Sequence, residues 1–529
     1  MRRGSCADVK LRLRTVSSLR VLTSRHTSQP IPNVPLTQFF RDAIAPYADR
    51  TALVDGPSGR SYTFRQLLDL SASIANALAT RGIQPGDRVA FICPNVPEVA
   101  LAYHGVIAAG AVAMMLNPLS TAEELTKYFG VGTPKLAFTI GPFVDAIRTA
   151  APRLPLLVIG EASFTALLGE STTPPAIAID PDAVAVMPYS SGTTGFPKGV
   201  MLTSRNIISQ ILALEAVSDA RVIEPGAAVV AVLPFFHIYG IMAFLTFGLS
   251  RGAKIVCMPR FDLEQYVALV REHEVPLLHV VPPILLGLAK YPGELALPKV
   301  RGALAGAAPL SAELAAEFTQ RTGVMVFQVY GMTEVSGATH LGSTDPARNK
   351  PGSIGGLIGN AEARVVSPDT GEDTERGEIW VRGPFIMKGY FENSEATDAT
   401  IDRDGWLHTG DVGYVDGDGD FWVVDRVKEL IKYKGLQVAP AELEAVLLQH
   451  PLVADCAVYP MPDVEAGELP KAAVVLKHDA KISAEELMQF VASRVSPQKR
   501  VRALRFVDAI PKSASGKILR RVLVAQDLV

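Results

Sequence analysis

The stretch Tyr189-Ser-Ser-Gly-Thr-Thr-Gly-Phe-Pro-Lys-Gly-Val200 decides the fold. It follows the apolar run from Ala183 to Met187, which predicts a buried strand. A strand that enters a loop of hydroxyls and glycines presents N–H and O–H donors, which can hold a polyphosphate. Lys198 adds a positive charge for phosphate oxygens. The predicted phosphate-binding residues are Ser190, Ser191, Gly192, Thr193, Thr194, Gly195 and Lys198.

This loop is not a Walker A motif, because that motif needs Gly before its lysine and Ser or Thr after it. Here Pro197 precedes the lysine and Gly199 follows it. A flexible surface turn is the alternative interpretation, although turns rarely combine these residues in this order.

Composition limits the class of protein. The chain has 529 residues, of which 48% are hydrophobic and 20% charged, with a net charge of −3. These values predict a soluble multidomain enzyme and give no support for a nucleic-acid partner. The four cysteines lie far apart without a CxxC pair, so we expect no zinc site and no disulfide framework.

Two segments carry targeting or membrane signals. Residues 1–29 are basic and contain a single acid, Asp8, which is typical of a mitochondrial transit peptide. We favour the alternative, a disordered basic extension on a cytoplasmic protein. The uncharged run between Glu224 and Arg251 is long enough to cross a bilayer. Because Pro234 and Gly240 interrupt it, we predict a strand, a turn and a helix inside a core, and no transmembrane segment.

From Pro35 onward the pattern is typical of a globular chain in which strands and helices alternate. Thr63 and Gln66 form a capping box at the start of a predicted helix, and Val89–Ile92 reads as the next strand. This alternation predicts an α/β fold with mostly parallel sheets and a ligand near the carboxyl ends of their strands. From about Gly352, short β runs between Gly/Asp-rich turns predict a small β-barrel-like subdomain. We divide the chain into an extension (1–29), a large N-terminal domain (30–425) and a small α+β C-terminal domain (426–529).

Further stretches carry chemistry. The neutral turn Gly306-Ala-Ala-Pro-Leu310 offers a surface for a flat purine, although an ordinary turn is the alternative. In Tyr330-Gly-Met-Thr-Glu334, a ring, a hydroxyl and a carboxylate could stack a base, bind a phosphate and hold Mg²⁺. Asp411 could accept two ribose hydroxyls, and Arg426 follows at the domain junction. A basic cluster and a late lysine complete the candidates, with solvated charges as the alternative: Lys428, Lys432, Lys434, Gln437 and Lys517.

Over residues 33–525 these motifs resemble the adenylate-forming superfamily of acyl-CoA synthetases, firefly luciferases and peptide-synthetase adenylation domains. Three stretches are similar to the coumarate–CoA ligases. They are Leu233-Pro-Phe-Phe-His-Ile-Tyr-Gly240, His408-Thr-Gly-Asp411 and Val424-Asp-Arg-Val-Lys-Glu-Leu-Ile-Lys-Tyr-Lys-Gly-Leu-Gln-Val-Ala-Pro-Ala-Glu-Leu-Glu444. The resemblance implies a large N-terminal domain, a small mobile C-terminal domain and two half-reactions at one site.

The resemblance also implies roles for single residues. Lys517 would bridge the substrate carboxylate and the α-phosphate, Lys428 would be the hinge, and Glu334 would hold Mg²⁺. Lys432 and Gln437 would enter the site after domain rotation, and His237 would gate the acyl pocket. Lys434 and Gly435 would contact CoA. The implied ATP and AMP contacts are the phosphate-loop residues with Gly306, Ala307, Ala308, Pro309, Gln328, Tyr330, Gly331, Thr333, Asp411 and Arg426; the acyl pocket would contain Tyr239, Met242, Ala243 and Val329.

The sequence departs from the coumarate ligases in the implied acyl pocket. Val329 stands where those enzymes usually have Gly, and Met242-Ala243 replaces a polar Asn-Ser pair. Both changes predict a narrower and less polar pocket. We therefore expect an ATP-dependent carboxylate–CoA ligase for a cinnamate-type or medium-chain fatty acid, with ATP, CoA and the acid as small-molecule partners. The alternatives are a luciferase-like oxygenase, a ligase that passes its acyl-AMP to a carrier protein, and a catalytically silent nucleotide-binding protein.

Overall fold

The structure is a computed structural model that describes residues 14–16, 19–169, 171–190, 197–217, 226–433, 436–463, 466–495, 497–513 and 516–527. Within these ranges the chain forms an α/β fold with mixed sheets and a separate C-terminal unit. The predicted fold class is therefore confirmed. The glycine-rich segment from Ser191 to Gly195, and Lys434 with Gly435, lie outside the described residues.

A mostly parallel sheet carries the phosphate-loop strand. Val184–Ser190 pairs in parallel with Val112–Leu116 and antiparallel with Lys198–Thr203, so the predicted loop joins two neighbouring strands. The carboxyl ends of the parallel strands meet at one edge of this sheet, where a ligand site is expected. The order of strands is Gly389–Tyr390, Lys198–Thr203, Val184–Ser190, Val112–Leu116, Arg88–Ile92, Leu136–Ile140 and Leu156–Ile159.

Two further sheets complete the large domain's α/β core. One runs in the order Ala228–Ala231, Lys254–Cys257, Thr51–Asp55 and Ser61–Thr63, with the last strand antiparallel. The other begins with three parallel strands and continues antiparallel. Its order is Leu277–Val280, Gly302–Ala305, Met325–Met332, Gly337–Leu341 and Gly356–Leu357. The turn with Gly306 follows the strand Gly302–Ala305, and the turn with Glu334 follows the neighbouring parallel strand Met325–Met332. Both turns therefore come to the same edge of this sheet.

The β-rich region after Gly352, for which we predicted a small β-barrel-like subdomain, contributes four strands to an antiparallel sheet whose other two strands come from the N-terminal segment. Its strands are Arg14–Val16, Leu19–Thr23, Glu362–Val366, Arg376–Arg382, Leu407–Val415 and Phe421–Arg426. The C-terminal unit has its own sheet, in which Gly467–Leu476 pairs with Val453–Asp463, Ile431–Tyr433 and Ala503–Phe506. Leu436–Val438 extends that sheet beyond Ile431–Tyr433.

The expectation of a disordered extension over residues 1–29 is wrong for its described C-terminal part. Leu22 pairs with Ala363 in the antiparallel sheet and is 5% exposed. Gln29 and Asn360 exchange two hydrogen bonds of 2.9 Å. A buried leucine and paired backbone groups stabilise this segment against the large domain.

Helices cover the sheets, and local sequence signals set several of their starts. Thr63 and Gln66 form the predicted capping box at Phe64–Thr80. Pro97–Ala108 is almost entirely buried because it lies between neighbouring helices rather than at the surface. The α-helices are Leu36–Ile44, Phe64–Thr80, Pro97–Ala108, Ala122–Gly132, Val144–Ala150, Ala162–Thr165, Ser204–Glu215, Ile238–Gly240, Phe247–Ser250, Leu263–Glu272, Pro282–Ala289, Ala312–Thr322, Ser394–Asp398, Pro440–Leu448, Ala484–Ala492 and Arg520–Gln526.

The apolar run before Arg251 folds as predicted. Ala228–Ala231 is a buried strand, and Ile238–Gly240 begins a helix that continues as a π-helical turn over Ile241–Thr246. Gly240 is required at the bend, because a Cβ there would lie 2.0 Å from the carbonyl oxygen of Pro234. Among the described residues, the structure contains no helix long and apolar enough to span a bilayer.

Candidate active site

A cavity of about 550 Å³ opens where the large domain meets the C-terminal unit. Most sequence-predicted site residues that the structure describes line it, although they come from strands of three different sheets and from segments that connect strands. These residues are Ser190, Lys198, His237, Tyr239, Met242, Ala243, Ala307, Val329, Gly331, Thr333, Glu334, Arg426, Lys428 and Lys517.

The phosphate-loop end of the cavity is built by an antiparallel strand pair. Ser190 and Lys198 are register partners, so the two ends of the glycine-rich segment lie side by side. The Lys198 Nζ atom lies 4.7 Å from the ring centroid of Tyr390, a cation–π distance. This contact places the ammonium group at the cavity wall, where it can meet an anionic ligand.

Glu334 forms the neighbouring wall. Its side chain is 5% exposed, and its Oε1 accepts a 2.8 Å hydrogen bond from the Tyr390 hydroxyl. Burial and the nearby Glu334 charge raise the pKa of Tyr390, so the phenol remains a donor at neutral pH. Within the described ranges, no group of three or more His, Cys, Asp or Glu side chains is placed to hold a metal. A single carboxylate still fits Mg²⁺, which binds through one or two carboxylates together with water and substrate phosphates.

Asp411 and Arg426 are register partners on adjacent strands. Arg426 Nε donates to Asp411 Oδ1 at 2.8 Å, and the Tyr330 hydroxyl donates to Asp411 Oδ2 at 2.6 Å. Burial, followed by the Asp411 charge, raises the pKa of Tyr330 well above its ordinary value. Both carboxylate oxygens thus already accept hydrogen bonds from protein donors, which sequence reasoning did not foresee.

The C-terminal unit contributes Lys517 to the cavity. Its backbone N–H donates to Ser513 Oγ at 3.1 Å, and Gly516 before it has a φ of 81°, which favours glycine. A Cβ at Gly516 would lie 2.9 Å from the Pro283 ring of the large domain, so the turn docks closely. Burial, and after it the Arg426 charge, lower the pKa of Lys517. Lys517 therefore stands as a half-buried cation between the two units.

The part of the cavity for which an acyl pocket was predicted is largely apolar. We call it the acyl end. His237 caps the short helix Ile238–Gly240 by accepting the Tyr239 N–H at Nδ1 over 3.2 Å. Burial lowers the pKa of His237 to about 4, so its ring is neutral at pH 7. The Tyr239 hydroxyl donates to the Leu304 carbonyl at 3.2 Å, which leaves Met242 and Val329 as apolar walls.

Other predicted site residues lie outside the cavity lining. Lys432 is exposed on the strand Ile431–Tyr433, and its N–H donates to Glu468. The Gln328 side-chain amide donates to the Ser353 carbonyl oxygen at 3.1 Å. Tyr330 and Asp411 lie behind the wall, next to Arg426. Gly306, Ala308 and Pro309 surround Ala307 without lining the cavity, and the Gln437 side chain lies outside the described residues.

Sequence reasoning missed several lining residues. Tyr390 contacts both Lys198 and Glu334, although nothing in its local sequence, Gly389-Tyr-Phe391, indicates a site. Its strand pairs with Lys198–Thr203, and this long-range pairing places the Tyr390 ring beside Lys198. Other missed lining residues are Asn117, Tyr128, Glu378 and Thr400.

Known proteins match this arrangement. The AMP-binding enzyme family matches residues 40–391, and the AMP-binding enzyme C-terminal domain matches residues 442–517. The chain belongs to the AMP-binding enzyme family. This AMP-binding enzyme is 39% identical over 512 residues to 4-coumarate–CoA ligase 2 of Petroselinum crispum, covering 93% of this chain and 94% of the relative. It is 40% identical over 535 residues to 4-coumarate–CoA ligase-like 9 of Oryza sativa subsp. japonica, covering 95% of each.

Solved structures agree with this placement of the AMP-binding enzyme. ATP-bound MatB from Rhodopseudomonas palustris superposes with a TM-score of 0.86 at 28% identity, covering 93% of this chain and 98% of that one. The anthranilate CoA ligase AuaEII in complex with anthranoyl-AMP also gives 0.86, at 25% identity, with 94% and 98% covered. The chain is therefore an ATP-dependent acyl- or aryl-CoA ligase that works through an adenylate, with ATP and CoA as co-substrates. The predicted resemblance and enzyme class are confirmed.

Proposed function

We propose that this AMP-binding enzyme activates a cinnamate-type or medium-chain fatty acid, releases AMP and pyrophosphate, and requires Mg²⁺. The observation that carries the proposal is one cavity whose lining includes the cations Lys198 and Lys517 together with an apolar set that contains Met242. An acid with an apolar body fits this cavity. Its carboxylate can lie near the cations while its apolar part is buried away from water.

In the first half-reaction, a carboxylate oxygen attacks the α-phosphorus and the bond to the β-phosphate breaks. Negative charge accumulates as this happens, so the cations at Lys198 and Lys517 stabilise the transition state more than the ground state. Thr333 would contact the α-phosphate. Glu334, held by Tyr390, would carry Mg²⁺, which offsets phosphate charge when bound. Asp411 with Arg426 would orient the ribose.

In the second half-reaction, the thiol of CoA attacks the acyl carbonyl and the bond to AMP breaks. Lys517 occupies the cavity while Lys432 is exposed outside it, so this arrangement suits adenylation. We infer that the residues beyond Lys428, which lies in an exposed turn at the cavity edge, rotate about it and bring Lys432 and Gln437 inward. Lys434 and Gly435 would then contact CoA, and His237 would gate the pantetheine path.

The test is AMP release measured over a panel of cinnamic, benzoic and fatty acids, with and without CoA. We expect acyl-CoA formation that requires Mg²⁺, CoA and either a cinnamic or a medium-chain acid. Accumulation of free acyl-AMP despite added CoA would point to delivery to a carrier protein. Light or oxygen uptake would point to the oxygenase alternative. A best substrate outside both acid classes would overturn the proposed specificity.

A further inference from the structure

Gln210 is a buried polar residue that the described site does not use. It lies in the helix Ser204–Glu215 and is 0% exposed. Neither its amide oxygen nor its amide nitrogen has a hydrogen-bond partner among the residues that the structure describes. Buried amides are costly when unpaired and are almost always satisfied by protein, water or ligand. The Gln210 amide can therefore serve a ligand or a water molecule.

Gln210 lies next to residues that line the cavity. Leu214, one turn later on the same helix face, lines the cavity. Gly337 and Met242 also line it, and a Cβ at Gly337 would lie 3.6 Å from Gln210 Cγ and 3.0 Å from Met242 Cγ. The absence of a side chain at Gly337 thus leaves Gln210 packed against two residues that form the pocket wall.

Met242 is the movable part of this wall. Its side chain is unbranched and flexible, so it adopts new rotamers more easily than a branched residue does. It belongs to the π-helical turn Ile241–Thr246, and such turns occur frequently at functional sites. The Thr246 hydroxyl lies 3.2 Å from the Met242 sulfur and also donates to backbone carbonyls. A rotamer change at Met242 would expose the Gln210 amide to a ligand without unfolding the helix.

We propose that Gln210 determines substrate specificity by binding a neutral hydroxyl or keto group at the end of the acid distal to its carboxylate. An amide supplies both a donor and an acceptor, so it can satisfy both functions of a hydroxyl. The nearby lining residues Leu214, Phe247, Ala338 and Leu341 are uncharged, which excludes a charged distal group on desolvation grounds. This inference rests on the proposed ligase function and deepens it: the acid has an apolar body and a polar far end.

The experiment compares paired acids that differ only in the distal hydroxyl: cinnamate with 4-hydroxycinnamate, and octanoate with 8-hydroxyoctanoate. For at least one pair, we expect the native enzyme to prefer the hydroxylated acid in kcat/KM by about tenfold or more, since a hydrogen-bonding site rejects analogues that lack the bond. Gln210→Met keeps the side-chain length and should abolish that preference while activity on the unsubstituted acid persists. Gln210→Leu should behave alike, and thermal unfolding checks the fold of both variants.

Ser209→Ala is the matched control, because the Ser209 hydroxyl is also buried in this helix but donates to the Asn206 carbonyl. It should leave the ratio between paired acids unchanged. If Gln210→Met also leaves every ratio unchanged, the amide serves a water molecule or the fold, and the inference is overturned. If no acid of the panel is activated by the native enzyme, the proposed function itself fails, which is a different result.

Discussion

Tyr390 donates a 2.8 Å hydrogen bond to Glu334 and at the same time carries Lys198 over its ring. One side chain thus fixes the proposed Mg²⁺ ligand and the phosphate-loop lysine relative to each other. Lys198 lies on a strand of one sheet, and Glu334 lies in the 3-10 turn Thr333–Val335 that follows a strand of another sheet. The tyrosine therefore couples the geometry of these two regions at the cavity.

This coupling predicts the effect of Tyr390→Phe. The variant keeps the ring under Lys198 but removes the hydroxyl donor, and hydrogen bonds to charged groups contribute about 1.5–3 kcal/mol. We expect the KM for Mg²⁺-ATP to rise about tenfold, with the acid's KM little changed. Tyr390→Leu also removes the cation–π contact and should raise the KM for Mg²⁺-ATP further. Equal ATP kinetics in the native enzyme and Tyr390→Phe would contradict the positioning role.

Lys517→Ala should separate the half-reactions. If Lys517 offsets charge at the α-phosphorus, its loss costs roughly 2.7–4 kcal/mol, or about 10²–10³ in adenylation rate. Thioester formation from supplied acyl-AMP should stay nearly normal. Lys512→Ala is the control, because Lys512 is an exposed lysine in the same segment that pairs with Asp455 at 2.6 Å. Equal losses in both half-reactions would refute the role.

The lowered pKa of Lys517 predicts a pH dependence. Adenylation needs the protonated ammonium, so kcat/KM for adenylation should fall as pH rises, at a pH below the ordinary lysine value of about 10.4. The unfolded chain binds this proton more tightly than the folded one, so folding stability rises with pH over the same window. Lys517→Arg stays charged and should lose this alkaline fall. The rate of pyrophosphate exchange at a series of pH values measures this fall. If Lys517→Arg shows the same fall as the native enzyme, another group is titrating.

The hinge assignment is tested by Lys428→Pro. Proline fixes φ and should block the torsional change that rotates the residues beyond it. Because Lys517 lies in the cavity here, we expect adenylation to persist while acyl-CoA formation from acyl-AMP is lost. Lys428→Ala leaves the backbone free and should retain both steps. Full turnover by the proline variant would show that the pivot is elsewhere.

Val329→Gly tests the acyl pocket. Val329 lines the cavity, and a Cβ on neighbouring Gly306 would lie 2.6 Å from Val329 Cγ1, so the wall is tightly packed. A methylene in an apolar pocket is worth about 1–3 kcal/mol, or about 10–200-fold in kcat/KM. We expect activity on ring-methoxylated acids to rise about tenfold at an unchanged KM for ATP. Steady-state kinetics on cinnamate, coumarate and ferulate check this, and ferulate as the best native substrate would contradict a narrow pocket.

Local patterns predicted much of the fold. The capping box at Thr63, the buried strand before Ser190 and the interrupted apolar run before Arg251 all follow from neighbouring residues, which decide backbone propensity and burial. The expectation of disorder was wrong at residues 19–29 because a contact with a distant segment orders them. Their basic composition indicates no core, but Leu22 gains a partner from Ala363, far along the chain.

The candidate site, too, was predicted from local sequence only in part. By itself, the sequence determined the chemistry of its parts, because motifs such as the glycine-rich loop and the stretch around Lys517 encode donors and charges locally. Only the tertiary structure decided that the Tyr390 hydroxyl reaches Glu334, that the Tyr330 hydroxyl donates to an oxygen of Asp411, and that the buried Gln210 amide has no partner among the described residues. These contacts depend on sheet pairing and on helix packing between distant segments. No local pattern specifies which distant side chain fills a given space.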